Sequence, residues 1–365
     1  MLRKSCRLSG CVLALSLAFV GCGGGSPAGL PNDAGTNSSA DAQPDAPAAA
    51  VASPVYFTVV IHNERTLTRF DRFRSSIQGY ETYRAALLRI ADLLVKYKVK
   101  LSYQSDYLLM DAVEKHEATV LAKDGSKTNG KKLYNYLVED LGFSLEAHAH
   151  ECILNTGNPS LCSDKQYNYA DVVARIREVT GISPPAIIGG TSSSERPLSE
   201  WTSCIQGNVY KEKWCPEALT VFAGADGGHA VGSDDLHSGV WRPTSLTSTE
   251  FLVDNPSGKL AYIGSGYLFS ALFGARNVVT EPVTGIQKLV SMVDAAAIAK
   301  GKIVTSSIVI TVDKFIDEDY YDELDTLLGQ LKPLLDSGKV VAATYPEVLA
   351  NWRASYGSVP NIVTF

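Results

Sequence analysis

Two histidines one residue apart close a β-favouring run, Phe143-Ser-Leu-Glu-Ala-His-Ala-His150. Side chains alternate faces along a strand, so Glu146, His148 and His150 share a face. Two residues of rise, roughly 6.7 Å, set the imidazoles where both can reach one metal ion. A second pair, His62 and Glu64, follows the run Val55-Tyr-Phe-Thr-Val-Val-Ile61 with the same spacing. Catalytic zinc takes three ligands from His and carboxylate and keeps a place for water. The sequence therefore predicts a divalent metal, Zn by ligand type, held by His62, His148 and His150. Glu64 is left as a further ligand or as general base on the activated water. Glu146, one step deeper on the face of His148, is expected either to orient an imidazole or to serve as a core ion-pair or hydrogen-bonded carboxylate.

Other polar residues fall where chemistry could use them. Asp313 follows the strand-like Ile308-Val-Ile-Thr-Val312 and reads as a catalytic candidate, with turn formation the competing role. The glycine-rich stretch Gly224 to Pro243 reads as a loop. It carries His237 as a further catalytic candidate, and Asp226, Trp241 and Arg242 as substrate-binding ones, Trp241 offering a face on which a sugar ring could stack; a solvated polar loop with one buried Trp is the competing reading for most of them. His116, late in a helical run, reads as surface. No Gly-x-Ser-x-Gly elbow, Walker loop or dinucleotide fingerprint is found.

The elements that must position these groups alternate along the chain. Strands are expected at Val55–Ile61, Val99–Gln104, the histidine run, Ala186–Gly189, Leu219–Phe222, Lys259–Ile263, Lys302–Val312 and Val340–Ala343. Helices are expected at Tyr80–Lys98, Lys131–Leu141, Tyr169–Thr180, Ile286–Ala299, Tyr320–Leu335 and Pro346–Trp352, from apolar residues at three- and four-residue steps. Strand–helix alternation implies parallel pairing through right-handed crossovers. The fold class is α/β, and the number of units points to a (β/α) barrel, complete or incomplete, in one domain spanning 54–356, with 357–365 as a tail. In such a barrel the chemistry sits at the C-terminal strand ends. The irregular stretch from Thr191 to Asp254 is expected to form a disulfide-pinned wall over them.

The ends and the cysteines speak to compartment. Arg3, Lys4 and Arg7 precede the apolar run Val12–Val20, as in a secretory signal over 1–21. Phe19-Val-Gly-Cys22 resembles a lipobox, which makes Cys22 a lipidation site. An ordinary signal peptide cleaved nearby, with Cys22 a spare thiol, is the alternative. Residues 22–53 are rich in Ala, Pro, Asp, Ser and Gly and read as a disordered tether. The expected location is exported and lipid-anchored to a bacterial membrane, at the periplasm or cell surface. Cys152, Cys162, Cys204 and Cys215 then remain as disulfide candidates. Three pairings exist on paper, the local Cys152–Cys162 and Cys204–Cys215 being the most economical; zinc is the competing use, but no Cys-x-x-Cys occurs. Without the signal's three basic residues the formal charge goes from −6 to −9, which argues against nucleic acid as a partner.

Four stretches carry a family resemblance: Leu87-Leu-Arg-Ile-Ala-Asp-Leu-Leu-Val-Lys-Tyr-Lys-Val-Lys-Leu-Ser-Tyr103, Leu141-Gly-Phe-Ser-Leu-Glu-Ala-His-Ala-His150, Val172-Val-Ala-Arg-Ile-Arg-Glu-Val-Thr-Gly-Ile-Ser-Pro-Pro185, and Leu324 to Trp352. In their order they resemble the polysaccharide deacetylase superfamily. The resemblance implies a seven-unit barrel and metal-dependent removal of acetyl groups from exported glycans. His62-Asn63-Glu64 stands where that family has paired aspartates, His148 and His150 are closer in sequence than its two histidines, and Ile187-Ile-Gly-Gly190 stands where it has an arginine. The set His62, Glu64, His148 and His150 is accordingly a variant one. The leading expectation is a metal-dependent hydrolase of a glycan or related polymer. A carbohydrate-binding barrel without catalysis and a two-carboxylate glycosidase, the latter drawing on Glu64, Asp226 and Asp313, are its alternatives.

Overall fold

The structure, a computed structural model, describes residues 53–63, 75–149, 151, 167–192, 196–223, 237–246, 248–266, 269–270, 280–311, 316 and 318–364. The expected signal and tether, Cys22, Glu64, His150, Cys152, Cys162, Asp226 and Asp313 lie outside these residues. No described helix is long and apolar enough to cross a membrane.

Thirteen strands are described: β1 (Val55–His62), β2 (Leu101–Ser105), β3 (Ser144–Ala147), β4 (Ile187–Ser192), β5 (Ile205–Gln206), β6 (Lys213–Trp214), β7 (Ala218–Ala223), β8 (His237–Trp241), β9 (Ala261–Ser265), β10 (Phe269–Ser270), β11 (Val304–Thr311), β12 (Val340–Ala342) and β13 (Val363–Thr364). The longer helices are α1 (Ile77–Lys96), α2 (Tyr107–Asp124), α3 (Tyr169–Thr180), α4 (Thr280–Asp294), α5 (Glu318–Asp336) and α6 (Tyr345–Ala354). The main sheet runs β10-β11-β1-β2-β3-β4-β7-β9-β8-β13, with β12 also on β1. From β11 through β1, β2, β3, β4 and β7 to β9 every pairing is parallel. These seven strands and their helices make a nearly closed (β/α) barrel, as the alternation of elements predicts.

Closure uses side chains. Among the described residues no ladder joins β11 to β8 or β9. Instead Ser238 Oγ donates to Thr305 O at 2.8 Å and accepts from Thr305 N at 2.9 Å. Gly239 N donates to Thr305 Oγ1 at 2.8 Å, and Ser306 Oγ donates to Gly266 O at 2.8 Å. Hydroxyls thus satisfy backbone groups that a ladder would otherwise pair.

Two apolar layers follow from strand alternation. Phe57, Val59 and Ile61 point outward and pack with Tyr83, Leu87, Ile90 and Leu94 of α1. Tyr56 and Val60 point inward with Val309, Ile263 and the residues of α6. Helix α6 seats its first residue inside the barrel: Tyr345 N donates to Ser102 Oγ at 3.0 Å, and Tyr345 OH bonds Ser307 Oγ at 3.0 Å. Its start is held by a Thr344/Glu347 capping box with Pro346 in the first turn. Helix α3 keeps the bounds read from sequence, because an Asn168/Asp171 capping box opens it and left-handed Gly181 ends it.

Four expectations need correction. Residues 237–241, read as loop, form β8, whose antiparallel pairing to β9 gives that polar stretch a partner. The segment after Tyr356 is no free tail: Val363 and Thr364 pair with β8. The helix expected over Lys131–Leu141 is one α turn, Leu133–Asn135, widening into a π turn, Tyr136–Asp140, with Leu141 N donating to Tyr136 O. His116 is buried on α2, its ring 5.8 Å from that of Tyr80, because α1 packs over that face.

Candidate active site

The strand register assembles the site. His62 pairs with Gln104, and Gln104 with Glu146, so three polar side chains form one row across β1, β2 and β3. His148 lies one step beyond Glu146 on the same face, just past the end of β3. All four are buried at the C-terminal half of the barrel. The rings of His62 and His148 are 3.9 Å apart, centre to centre, inclined at 55°.

Donor and acceptor roles along the row are fixed in sequence. Thr220 Oγ1 donates its proton to Ile188 O at 3.1 Å, so toward Gln104 it accepts. Gln104 Nε2 therefore faces it at 3.0 Å and also donates to Glu146 Oε2 at 3.2 Å. The Gln104 carbonyl then faces His62, and Nδ1 of His62 donates to Oε1 at 2.7 Å. His148 Nδ1 donates to the Gly189 carbonyl at 2.6 Å. In its neutral form each ring carries its lone pair on Nε2.

Two glycines make room. A side chain on Gly189 would press on Ala147 O and on Gln104 Cγ, the latter 2.9 Å from an ideal Cβ. Gly190, at φ +91°, lies against the His62 ring, where any Cβ would overlap Cε1. Tyr169 OH donates to Gly190 O and so steadies this turn. Its own backbone N–H donates to Glu151 Oε1 at 2.8 Å, while Arg196 Nε donates to Glu151 Oε2 at 2.6 Å. The Arg196 guanidinium also lies over Trp201, 5.2 Å from the ring centre.

Burial pushes the Glu146 carboxyl up to about 7, and Ser102 and Gln104 oppose this only in part. Its Oε1 has no hydrogen-bond partner among the described residues. Glu146 thus reaches the His62 ring through Gln104, from the same strand that leads into His148.

The remaining candidates separate. His237 opens β8, paired with Thr364 of β13 and one residue before the Ser238–Ser265 pair, at the same barrel end as His62, with Nδ1 3.1 Å from Thr364 Oγ1. Trp241 does not offer the face expected for a sugar. It is fully buried toward the other end, between Tyr262 and Phe251, and its Nε1 donates to Phe251 O at 2.7 Å. Arg242, also expected to bind substrate, forms an ion pair with Asp254 at 3.2 Å and lies over Trp352. Both lie toward the N-terminal end of the parallel strands. Cys204 and Cys215 are joined between β4 and β7, where they close the β5–β6 hairpin.

No known family profile matches the chain, and no curated protein matches it. Solved structures with a similar course include a GH57 branching enzyme from Thermococcus kodakaraensis, at 12% identity and TM-score 0.41, over 82% of this chain and 71% of that one. A 4-alpha-glucanotransferase from Thermococcus litoralis follows, at 12% and 0.42, over 85% of this chain and 40% of its own. A presumed polysaccharide deacetylase from Mycobacterium smegmatis aligns at 11% and 0.41, over 83% and 94%. Likeness at this level assigns neither family nor reaction.

The imidazole pair suits a metal in donor chemistry. Each ring is oriented by an oxygen acceptor on Nδ1, the arrangement that metal-binding histidines use. Among the described residues no third His, Cys, Asp or Glu completes the group. Two imidazoles on one tetrahedral ion, at bonds of about 2.0–2.1 Å, hold their centres about 5 Å apart. The pair at 3.9 Å would part by roughly 1 Å to share one.

Proposed function

We propose that this protein is a metal-dependent hydrolase acting on a glycan or related polymer, with deacetylation the leading reaction. The observation that carries the reading is the contact between His62 and His148 at the C-terminal strand ends, each with Nδ1 committed to an oxygen. Strand ends are where barrels of this kind place chemistry. His62 and His148 would hold the ion, with His150 and Glu64 the sequence neighbours that complete the set. A divalent ion, zinc by ligand type, supplies Lewis acidity that activates water and polarises a carbonyl. The chain's own part is to fix both rings and to keep a buried carboxyl, Glu146, behind them. The substrate class rests on the sequence resemblance to polysaccharide deacetylases.

The same proposal places the protein outside the cytoplasm, anchored through lipidated Cys22. The basic, apolar and lipobox-like segments support this, as does the Cys204–Cys215 disulfide, which suits an oxidising compartment. Cys22→Ser is expected to release the protein from the membrane fraction.

Metal analysis of the full chain tests the central claim. One equivalent of metal is expected in the parent, and loss of it in His148→Ala and in His62→Ala. No metal in the parent, or equal metal in both variants, rules the reading out. With metal present, release of acetate from acetylated oligosaccharides tests the reaction.

A further inference from the structure

We propose that Gln104 is the positioning residue of this site, setting which nitrogen His62 presents at the barrel mouth; the proposal rests on the reading of His62 as a metal ligand. Gln104 is fully buried and sits between His62 and Glu146 in the strand register. Its amide is oriented by partners outside the histidine pair. Thr220 on β7 and Glu146 on β3 take the two Nε2 protons, at 3.0 and 3.2 Å. Only Oε1 remains for His62, and a carbonyl oxygen accepts but cannot donate. The imidazole must then carry its proton on Nδ1.

Residue type matters here. A carboxylate in this place would still accept from His62 but could not donate to Thr220, and it would face Glu146 with like charge. A hydrophobic residue would neither orient the ring nor satisfy Glu146 Oε2. Only an amide gives an acceptor on one side and two donors on the other. The missing side chain at Gly189 is part of the same arrangement, since a Cβ there would lie 2.9 Å from Gln104 Cγ.

The test compares Gln104→Met with Gln104→Glu in the full chain, reading imidazole nitrogen NMR shifts of metal-free protein and zinc affinity by chelator competition. In the parent, His62 is expected as the Nδ1–H tautomer. Gln104→Met should lose that bias and bind zinc about ten- to a hundredfold more weakly, the usual effect of removing a ligand's hydrogen-bond partner. Gln104→Glu should keep the tautomer. A merely space-filling role predicts no such split between the two variants. Retention of the Nδ1–H tautomer and of zinc affinity in Gln104→Met overturns the proposal. If Gln104→Met does not fold, Thr220→Val removes one anchor of the amide; a smaller shift in the same direction supports the proposal, and an unchanged spectrum overturns it. A parent that takes no zinc defeats the metal reading, while the tautomer comparison still decides the role of Gln104.

Discussion

The His62 ring lies directly against Gly190 of β4, three strands away in the sheet, with no space for a Cβ between them. Gly190 also has φ +91°, a conformation that side chains rarely adopt. Gly190→Ala is therefore expected to do two things at once. It should strain the backbone and push the imidazole off Gln104. Gly181, at φ +76° with open space around it, isolates the first effect. Denaturant unfolding should show Gly181→Ala losing about 1–2 kcal/mol and Gly190→Ala about 1–3 kcal/mol more. Equal losses would mean that the His62 contact is not tight.

Glu146 predicts a pH dependence. Burial pushes its carboxyl up to about 7 in the folded protein, from an ordinary value of 4.5. Between those values the unfolded chain releases a proton that the folded one keeps. Stability is then full at the acid side, falls as pH rises from about 4.5 to 7, and levels off above. The total loss is about 3 kcal/mol, at roughly 1.4 kcal/mol per pH unit of displacement. Glu146→Gln in metal-free protein should flatten that slope. An unchanged slope in the variant would assign it to other groups.

Ser238 predicts the cost of opening the seam. Its hydroxyl serves both the N–H and the carbonyl of Thr305. Ser238→Ala leaves buried backbone groups without that partner and should destabilise by about 1–3 kcal/mol. Hydrogen exchange at the Thr305 amide should accelerate well beyond exchange in β2. Unchanged protection would show that the barrel does not depend on this contact.

Trp241 separates core from ligand surface. Trp241→Phe removes the donor to Phe251 O and leaves part of the volume between Tyr262 and Phe251 unfilled. A loss of about 1–3 kcal/mol is expected, with oligosaccharide affinity unchanged. Weaker binding at unchanged stability would return Trp241 to the site.

Much of the architecture was legible along the chain, for local reasons. Helix α3 begins and ends where Asn168, Asp171 and Gly181 dictate, and the continuous apolar run of β1 reads directly as a strand buried on both faces. The (β/α) alternation and the face shared by Glu146 and His148 follow from periodicity alone. Strand β8 was not legible, because the short run His237-Ser-Gly-Val-Trp241 follows a glycine-rich polar stretch and only β9 and β13 make it a strand.

Which residues meet is a different kind of information. Sequence could name His62 and His148 as metal-capable groups at strand ends. It could not place their rings in contact, since that depends on the stagger between β1, β2 and β3. Gln104 carried one faint signal, an amide at the end of a strand in which nothing else resembles a catalytic group. Gly189 and Gly190 stood in plain view as a departure from the resembled arginine motif, yet their purpose is spatial: they clear the volume that Gln104 and His62 occupy. Trp241 shows the converse. Its residue type suits a sugar platform and a buried core position alike, and the packing of β8 against Tyr262 and Phe251 decides for the core. Residue type and spacing determined what chemistry was available to this protein. Register and packing decided which of those groups share a site, because both arise from pairings between segments distant in the chain.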